Sequence, residues 1–352
     1  MGQSRNHVTT RGSVFRHKHY SVRVDEVLPR SAPTLWFAGL TTLDVIHRGV
    51  APAHRNQKVT ASWQGVSAGG PAANAAVVAA TLGAKVNLFT ALGTSPAAAI
   101  ARADLEQHGV QIIDFADDDF EFPVSAILVD EATSERSVVS LDGGRWNPDL
   151  KSVVEEWPDA ILFDGHHPNL ARAMLERLDR HSAASRATTQ NAEPRKPLVI
   201  LDGGRWKPIF AELIPKATVA ALSSDFRVPP ADPASASCAL VRDDVLALGA
   251  EAVVVTHGPD PVEWAVKDRG FETLLGNSST TGVATSNPLT SGKIPVPQVE
   301  ALDTLGAGDA FHGALTYYLP CQDDLPSAVA NANQVAATKV QHLGNRNWLK
   351  FI

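Results

Sequence analysis

The chain reads as an α/β protein with a mostly parallel central sheet covered by helices on both faces. Apolar runs of strand length alternate along it with Ala- and Leu-rich stretches of helical length, the order that crossover units give. Two other runs, Lys58 to Trp63 and Val124 to Leu141, alternate apolar and polar residues as half-exposed antiparallel strands do, so a smaller β-layer is expected beside the main one. Two turns of small residues, one ending at Gly70 and one at Gly308, each open into a helical stretch and could face one cleft.

Taken in order, residues 1–30 hold the only basic bias, with Arg5, Arg11, Arg16, Lys18 and Arg23. No apolar core of signal-peptide length follows, so this segment reads as a flexible tail before a folded domain over 31–352. The first strand is expected over Leu35 to Leu40, and the small layer from about 50–66 and 122–141. A helix over Ala72 to Thr81 leads through Gly83 to a strand at Val86 to Leu92 and a helix at Pro96 to His108. Strands follow at Ala160 to Phe163, Pro197 to Leu201, Val219 to Leu222 and Ala252 to Thr256. The remaining helices are expected at Leu170 to Arg180, Pro208 to Ile214, Ala310 to Leu319 and Leu325 to His342. Arg180 to Arg195 and Gly276 to Gly292 are dominated by small polar residues that cannot build a core, and read as mobile surface insertions.

Composition bounds the function. With 352 residues, 44% of them hydrophobic, the chain suffices for one large α/β domain with an appendage. A net charge of −7 argues against nucleic acid or an anionic membrane as partner, since phosphate-backbone binding needs concentrated Lys and Arg. Cys238 and Cys321 are too few for a disulfide framework or a zinc site, and a reducing cytoplasm fits them. No apolar run reaches membrane-spanning length.

The most informative stretch runs from Asp303 to Leu315. Gly306, Ala307 and Gly308 lack bulk, so their backbone N–H groups can converge on an anion at the start of the following helix, whose dipole adds to the attraction. Asp309 falls in the first helical turn, where a carboxylate stays ionised and lies within reach of a bound hydroxyl. This combination suits phosphoryl transfer. The plainer alternative makes Asp309 a helix cap after a Gly-rich loop. A second small-residue turn, Ser67 to Ala76, strengthens the chemical reading because it offers the other wall of a cleft.

The two segments together resemble the PfkB/ribokinase family of carbohydrate kinases. Gly69-Gly70, Asn74, Ala76, Gly83 and Gly93 have the spacing of the family's N-terminal signature, and Asp303 to Thr316 fits its C-terminal one, neither with a gap. The resemblance spans roughly Leu35 to Gly344 and implies a ribokinase-like fold in which the small strands form a lid over a sugar. It implies Asp309 as base and Gly306, Ala307 and Gly308 as the anion hole. It implies Asp44, Gly69, Gly70 and Asn74 as substrate contacts, with Asp44 at the end of the first strand, and Thr256, Gly258 and Asn333 as nucleotide contacts, with Asn331 as an alternative. ATP and Mg²⁺ would be its cofactors, and in some relatives the loop at Asp303 and Thr304 also helps hold a monovalent cation such as K⁺.

The sequence departs from the family in two places. Pro259, Asp260 and Pro261 replace the second glycine of the ATP loop, and proline cannot donate an N–H to phosphate. Ser223-Ser224-Asp225-Phe226 stands where the family carries Asn-x-x-Glu near the metal, leaving the metal ligands unknown, with Asp225 as a substitute acid or a helix cap. His166 and His167 lack zinc-like spacing and read as loop packing, or at most as a contact with substrate. Arg145 and Arg205 are placed to pair with an anionic substituent on the sugar, or are simply solvated. They belong to two echoes, Asp142 to Trp146 and Asp202 to Trp206, which read as coincidence because nothing repeats around them.

The sequence reading is therefore an ATP-dependent kinase acting on a primary hydroxyl of a carbohydrate, with a homodimer expected through exposed lid edges. Two alternatives stay open. One is a nucleoside kinase of the same fold with Trp36, Phe37 and Trp63 stacking a base; the other is a non-catalytic sugar or nucleotide sensor.

Overall fold

Strand β1 (Thr34–Ala38) is buried along its whole length, and the main sheet grows outward from both its edges. On one side lie β4 (Lys85–Thr90) and β5 (Val110–Asp114); on the other come β8 (Ala160–Phe163), β9 (Leu198–Gly203), β10 (Val219–Ser223) and β11 (Ala252–His257). All of these pair in parallel. β12 (Asp260–Lys267) and β13 (Leu289–Ile294) then close that edge in antiparallel fashion. The computed structural model describes residues 31–50, 56–117, 119–141, 143, 156–188, 196–229, 241–267, 289–321 and 324–352.

Alternate residues of β1 serve two separate cores, because successive strand side chains point to opposite faces. Leu35 and Phe37 join the apolar layer under helices α1 (Pro71–Thr81), α6 (Ala307–Cys321) and α7 (Leu325–Val340). Trp36 and Ala38 join the opposite layer, covered by α3 (Pro168–Thr188), α4 (Phe210–Leu213) and α5 (Val241–Ala247). Helix α2 (Pro96–Gln107) starts from Ser95, whose side chain accepts a hydrogen bond from the Ala98 N–H.

A second sheet of four strands has the order β3-β2-β6-β7, formed by β2 (Thr42–Gly49), β3 (Trp63–Gly69), β6 (Val124–Asp130) and β7 (Arg136–Val139). Its inner face buries Ile46, Ile127 and Val129, while Val66, Val124 and Val139 are exposed. The alternation seen in the sequence is real, and the run expected from Val124 to Leu141 divides into β6 and β7 around a turn in which Ser134 has a φ of 58°.

Several expectations need correction. The run at Lys58 to Trp63 is not itself a strand; β3 begins at Trp63. β2 is an additional strand whose sequence, Thr42 to Gly49, mixes charged and apolar residues and lacked a clean run. Helix α3 continues to Thr188, through the first half of the stretch expected to be a loop from Arg180, since Ala, Ser and Arg tolerate helix once its start is anchored. β13 takes in Leu289–Ile294, the end of the other expected insertion. Residues 1–30, most of Gly276 to Gly292, and Arg145 lie outside the described residues.

Helices α1 and α6 meet at the backbone. A Cβ on Gly313 would overlap the carbonyl of Ala75, and α1 presents fully buried Ala72, Ala73, Ala75, Ala76 and Ala79 around that point. Gly313→Val is expected to destabilise the fold by about 3 kcal/mol, because neither backbone can yield without moving a helix. A urea midpoint unchanged from the parent would refute this close approach.

Candidate active site

The main sheet reverses its direction of growth at β1, between β4 and β8, and open α/β sheets bind ligands beyond the carboxyl ends of their strands at such a switch point. Asp164, 1% exposed just past β8, organises the edge. Its carboxylate accepts hydrogen bonds from the N–H groups of Leu40 (2.8 Å), Ala72 (3.2 Å) and His166 (2.9 Å). The exit of β1, the entry of α1 and the loop after β8 are thereby tied to one side chain.

Helix α6 starts at Ala307, three residues earlier than the sequence suggested. Gly306, with a φ of 76°, makes the left-handed turn that precedes it, and a Cβ on Gly308 would meet nothing, so the loop is open on its outer side. First-turn N–H groups have no intrahelical acceptor and point outward. The Ala307 N–H contacts the Thr304 carbonyl at 3.3 Å and is the least free of the expected donors.

Asp309 therefore stands at the mouth of a positive helix end. Asn74 of α1 donates its amide to Asp309 Oδ2 at 2.8 Å, and Asn74 Oδ1 accepts from Arg346 at 3.1 Å. Arg346 is in turn held by Asp104 (3.0 Å) and the Ala68 carbonyl (2.8 Å). Asn74 was expected to contact substrate; in the structure one N–H of its amide orients Asp309.

Two further residues complete the cluster. Asp202, at the end of β9, lies 3.0 Å from His312, one turn along α6 from Asp309, and both are buried. The contact is an ion pair when His312 carries its proton. Burial alone would lower the His312 pKa, but the Asp202 carboxylate outweighs it and the net direction is up, while Asp202 is correspondingly held below its usual value.

Asp309 behaves differently from the sequence expectation. Burial foremost, then the Asp202 and Asp44 charges, raise its pKa from 3.8 to about 6, against the Asn74 hydrogen bond and His312. That rise is worth about 3 kcal/mol, whereas a helix N-terminus contributes about 1 kcal/mol or less, so the dipole loses. The carboxyl becomes a proton acceptor near neutrality.

Asp44 is the third residue of β2, inside the small sheet, and not the terminus of the first strand as expected. It accepts from Thr42 Oγ1 at 2.7 Å, and burial raises its pKa despite Thr42, Ser125, Arg346 and Asn345. A Cβ on Gly69 would overlap the Asp44 carboxylate, and one on Gly70, whose φ is 93°, would overlap the Leu40 carbonyl. Both glycines thus allow backbone to close around Asp44.

The expected nucleotide residues lie farther along the same edge. Thr256 sits at the end of β11, with a long 3.4 Å contact from Oγ1 to the Leu222 carbonyl. Gly258 and Pro259 form the two-residue turn into β12, so the ATP loop is a tight hairpin here. Asn333 is buried on α7 and donates to the Pro295 carbonyl at 3.2 Å. Asp225 is exposed after β10, and no group of three or more metal-ligating side chains occurs among the described residues. Arg205 is exposed. Trp36 and Phe37 are fully buried core residues and cannot stack a base, while the Trp63 ring packs against Gly65 and Gly344. A cavity of about 400 Å³ lies away from this cluster, on the small sheet beside His47, Ala126 and Val139.

Asp202, His312 and Arg346 were missed by sequence reasoning. The first two carried weak signals: Asp202 heads an Asp-Gly-Gly turn at a strand end, and His312 lies one turn beyond the motif aspartate. Arg346 carried none.

The raised pKa has a consequence for stability. A folded pKa above the unfolded value means that ionised Asp309 opposes folding fully above about pH 6, and the penalty disappears below 3.8. Asp309→Asn is accordingly expected to raise Tm at pH 8 and to leave it unchanged at pH 3.5, as read by scanning calorimetry.

Comparison with known proteins agrees with this fold. A curated ribokinase of Haemophilus influenzae is 24% identical over 286 residues, 79% of this chain and 83% of that protein. A solved structure from Agrobacterium tumefaciens superposes with a TM-score of 0.68 at 23% identity, covering 91% of this chain and 94% of that one. The ribokinase of Thermotoga maritima gives 0.63 at 19% identity, with 91% and 98% covered. The sequence profile of the pfkB family carbohydrate kinases matches residues 35–350, and the chain belongs to that family.

Proposed function

We propose that the protein transfers the γ-phosphoryl group of ATP to a primary hydroxyl of a carbohydrate. The observation that carries this reading is the placement of Asp309, held by Asn74 beside the open Gly306–Gly308 loop with a pKa near 6. Among the structural neighbours, an Arabidopsis thaliana ribokinase was solved with ribose and ATP, and a Salmonella enterica aminoimidazole riboside kinase with its riboside and an ATP analogue. Likeness of this degree supports the kinase class and leaves the sugar open.

In this mechanism the Asp309 carboxylate takes the proton of the substrate hydroxyl. The hydroxyl oxygen forms its bond to the γ-phosphorus as the bond to the bridging oxygen breaks, and ADP leaves. The backbone N–H groups of Gly306 and Gly308, with the helix end behind them, stabilise the charge spread over the phosphoryl oxygens. Asp44 accepts sugar hydroxyls from the small sheet, which acts as a lid that excludes water. Thr256, Gly258 and Asn333 border the nucleotide. Mg²⁺ would neutralise charge on the phosphates, held by these and by water with Asp225 as the one acid supplied near β10, since magnesium needs few protein ligands.

The exposed apolar face of the small sheet, with Val66 55% and Val139 75% exposed, fits pairing with a second copy through the lid. Val139→Asp is expected to convert a dimer to a monomer in light scattering. A parent chain that is monomeric throughout would exclude the pairing.

ADP release, assayed across ketoses, aldoses, sugar acids, sugar phosphates and nucleosides, tests the activity. Asp309→Asn is expected to lower kcat by about a thousandfold with substrate binding retained. In the parent, kcat/KM should fall as pH drops below about 6, where Asp309 takes up its proton. Sugar-independent silence, with ATP still bound, would favour the non-catalytic sensor instead.

A further inference from the structure

Lys339 is 1% exposed, on the face of α7 that faces the core, and the mechanism above makes no use of it. Its neighbours explain why a charge is tolerated there. Nζ donates to the Asp303 carbonyl at 3.1 Å and lies 3.4 Å from the Asp303 carboxylate. Burial draws the ammonium below its usual pKa, and the Asp303 and Asp309 carboxylates oppose that pull. Asp303 begins the segment that becomes the Gly306–Gly308 loop, so the ammonium sits directly behind the anion hole.

This is the place where some relatives hold a monovalent cation, and the residues present do not fit one. A cation needs oxygen ligands it can approach, and the Lys339 ammonium already stands against two of them, the Asp303 carbonyl and carboxylate. Asp303 Oδ1 already accepts from the Leu305 N–H and Oδ2 from the Gly344 N–H, both at 2.9 Å. The Val340 carbonyl accepts from the N–H groups of Leu302 (2.7 Å) and Asp303 (3.1 Å). The void beside Gly306, Lys339, Asn345 and Arg346 is about 10 Å³, about the room of one water, and an ion entering it would face two side-chain cations.

We propose that Lys339 is a positioning residue that supplies from within the chain the positive charge a bound K⁺ would otherwise supply. The ammonium neutralises Asp303 and fixes the loop whose N–H groups receive the phosphoryl group. The protein is therefore independent of monovalent cations. This inference rests on the kinase reading for its catalytic consequence, but its structural part does not.

The test compares K⁺ buffer with buffer in which tetramethylammonium is the only monovalent cation, using Tm and, with an identified substrate, turnover. The parent is expected to show the same Tm and the same rate in both. Lys339→Ala is expected to lose about a hundredfold in rate without K⁺, through a displaced loop, and to recover on adding K⁺ or ammonium, with a Tm that now rises with K⁺. Lys339→Ser, also small and uncharged and able to hydrogen-bond the freed Asp303 carbonyl, serves where the alanine variant does not fold. A parent whose Tm or rate rises with K⁺ overturns the proposal, as does a folded variant that keeps full activity without K⁺ or is not rescued by it. A parent with no kinase activity on any substrate, but a K⁺-insensitive Tm, would sink the kinase reading and leave the internal charge standing.

Discussion

The chemistry of this chain depends on two helices that touch backbone to backbone. Helix α1 follows the first signature and α6 contains the second, and they are separated by more than two hundred residues in sequence. Only a glycine at 313 against Ala75 lets them approach closely enough for Asn74 on one to hydrogen-bond Asp309 on the other. The Ala-rich face of α1 is thus a positioning device, since larger residues would fill the core equally well and push the helices apart.

Charge at the site is balanced, not neutralised. Asp44 and Asp202 both lie close enough to raise the pKa of Asp309, while His312 acts against them and Arg346 acts on Asp44. Such a cluster repels the polyanion it is proposed to bind. Backbone N–H groups resolve the conflict, because they present positive dipoles without carrying a charge that would pull the Asp309 pKa back down. A lysine at position 308 would bind phosphate better and leave a weaker base. Small residues there serve both requirements at once.

Much of this was legible in the sequence. Parallel strands as short apolar runs, the two signatures and the alternating pattern of the small sheet all rest on local periodicity, which survives in one dimension. β2 was lost because its inner face carries Asp44 and Arg48 among apolar residues, so function interrupts the pattern. Asp202 and His312 become partners only through the sheet, and a single histidine inside a helix has many plainer explanations. Lys339 did leave a trace: Ala328, Ala332, Val335 and position 339 follow the spacing of a buried helical stripe, and a lysine there breaks the rule that such stripes are apolar.

That break is informative for a general reason. A buried lysine costs several kcal/mol unless it is paired, and an apolar residue in the same stripe would have been neutral or better for stability. Asp303 could equally have been satisfied by N–H donors alone, two of which it already has. What the ammonium adds is charge at a fixed point, insensitive to the ion content of the surroundings, next to a loop that must hold its shape while a phosphoryl group passes. The same logic applies to Asp309, whose ionised form works against folding: both residues give up stability where the proposed reaction needs charge.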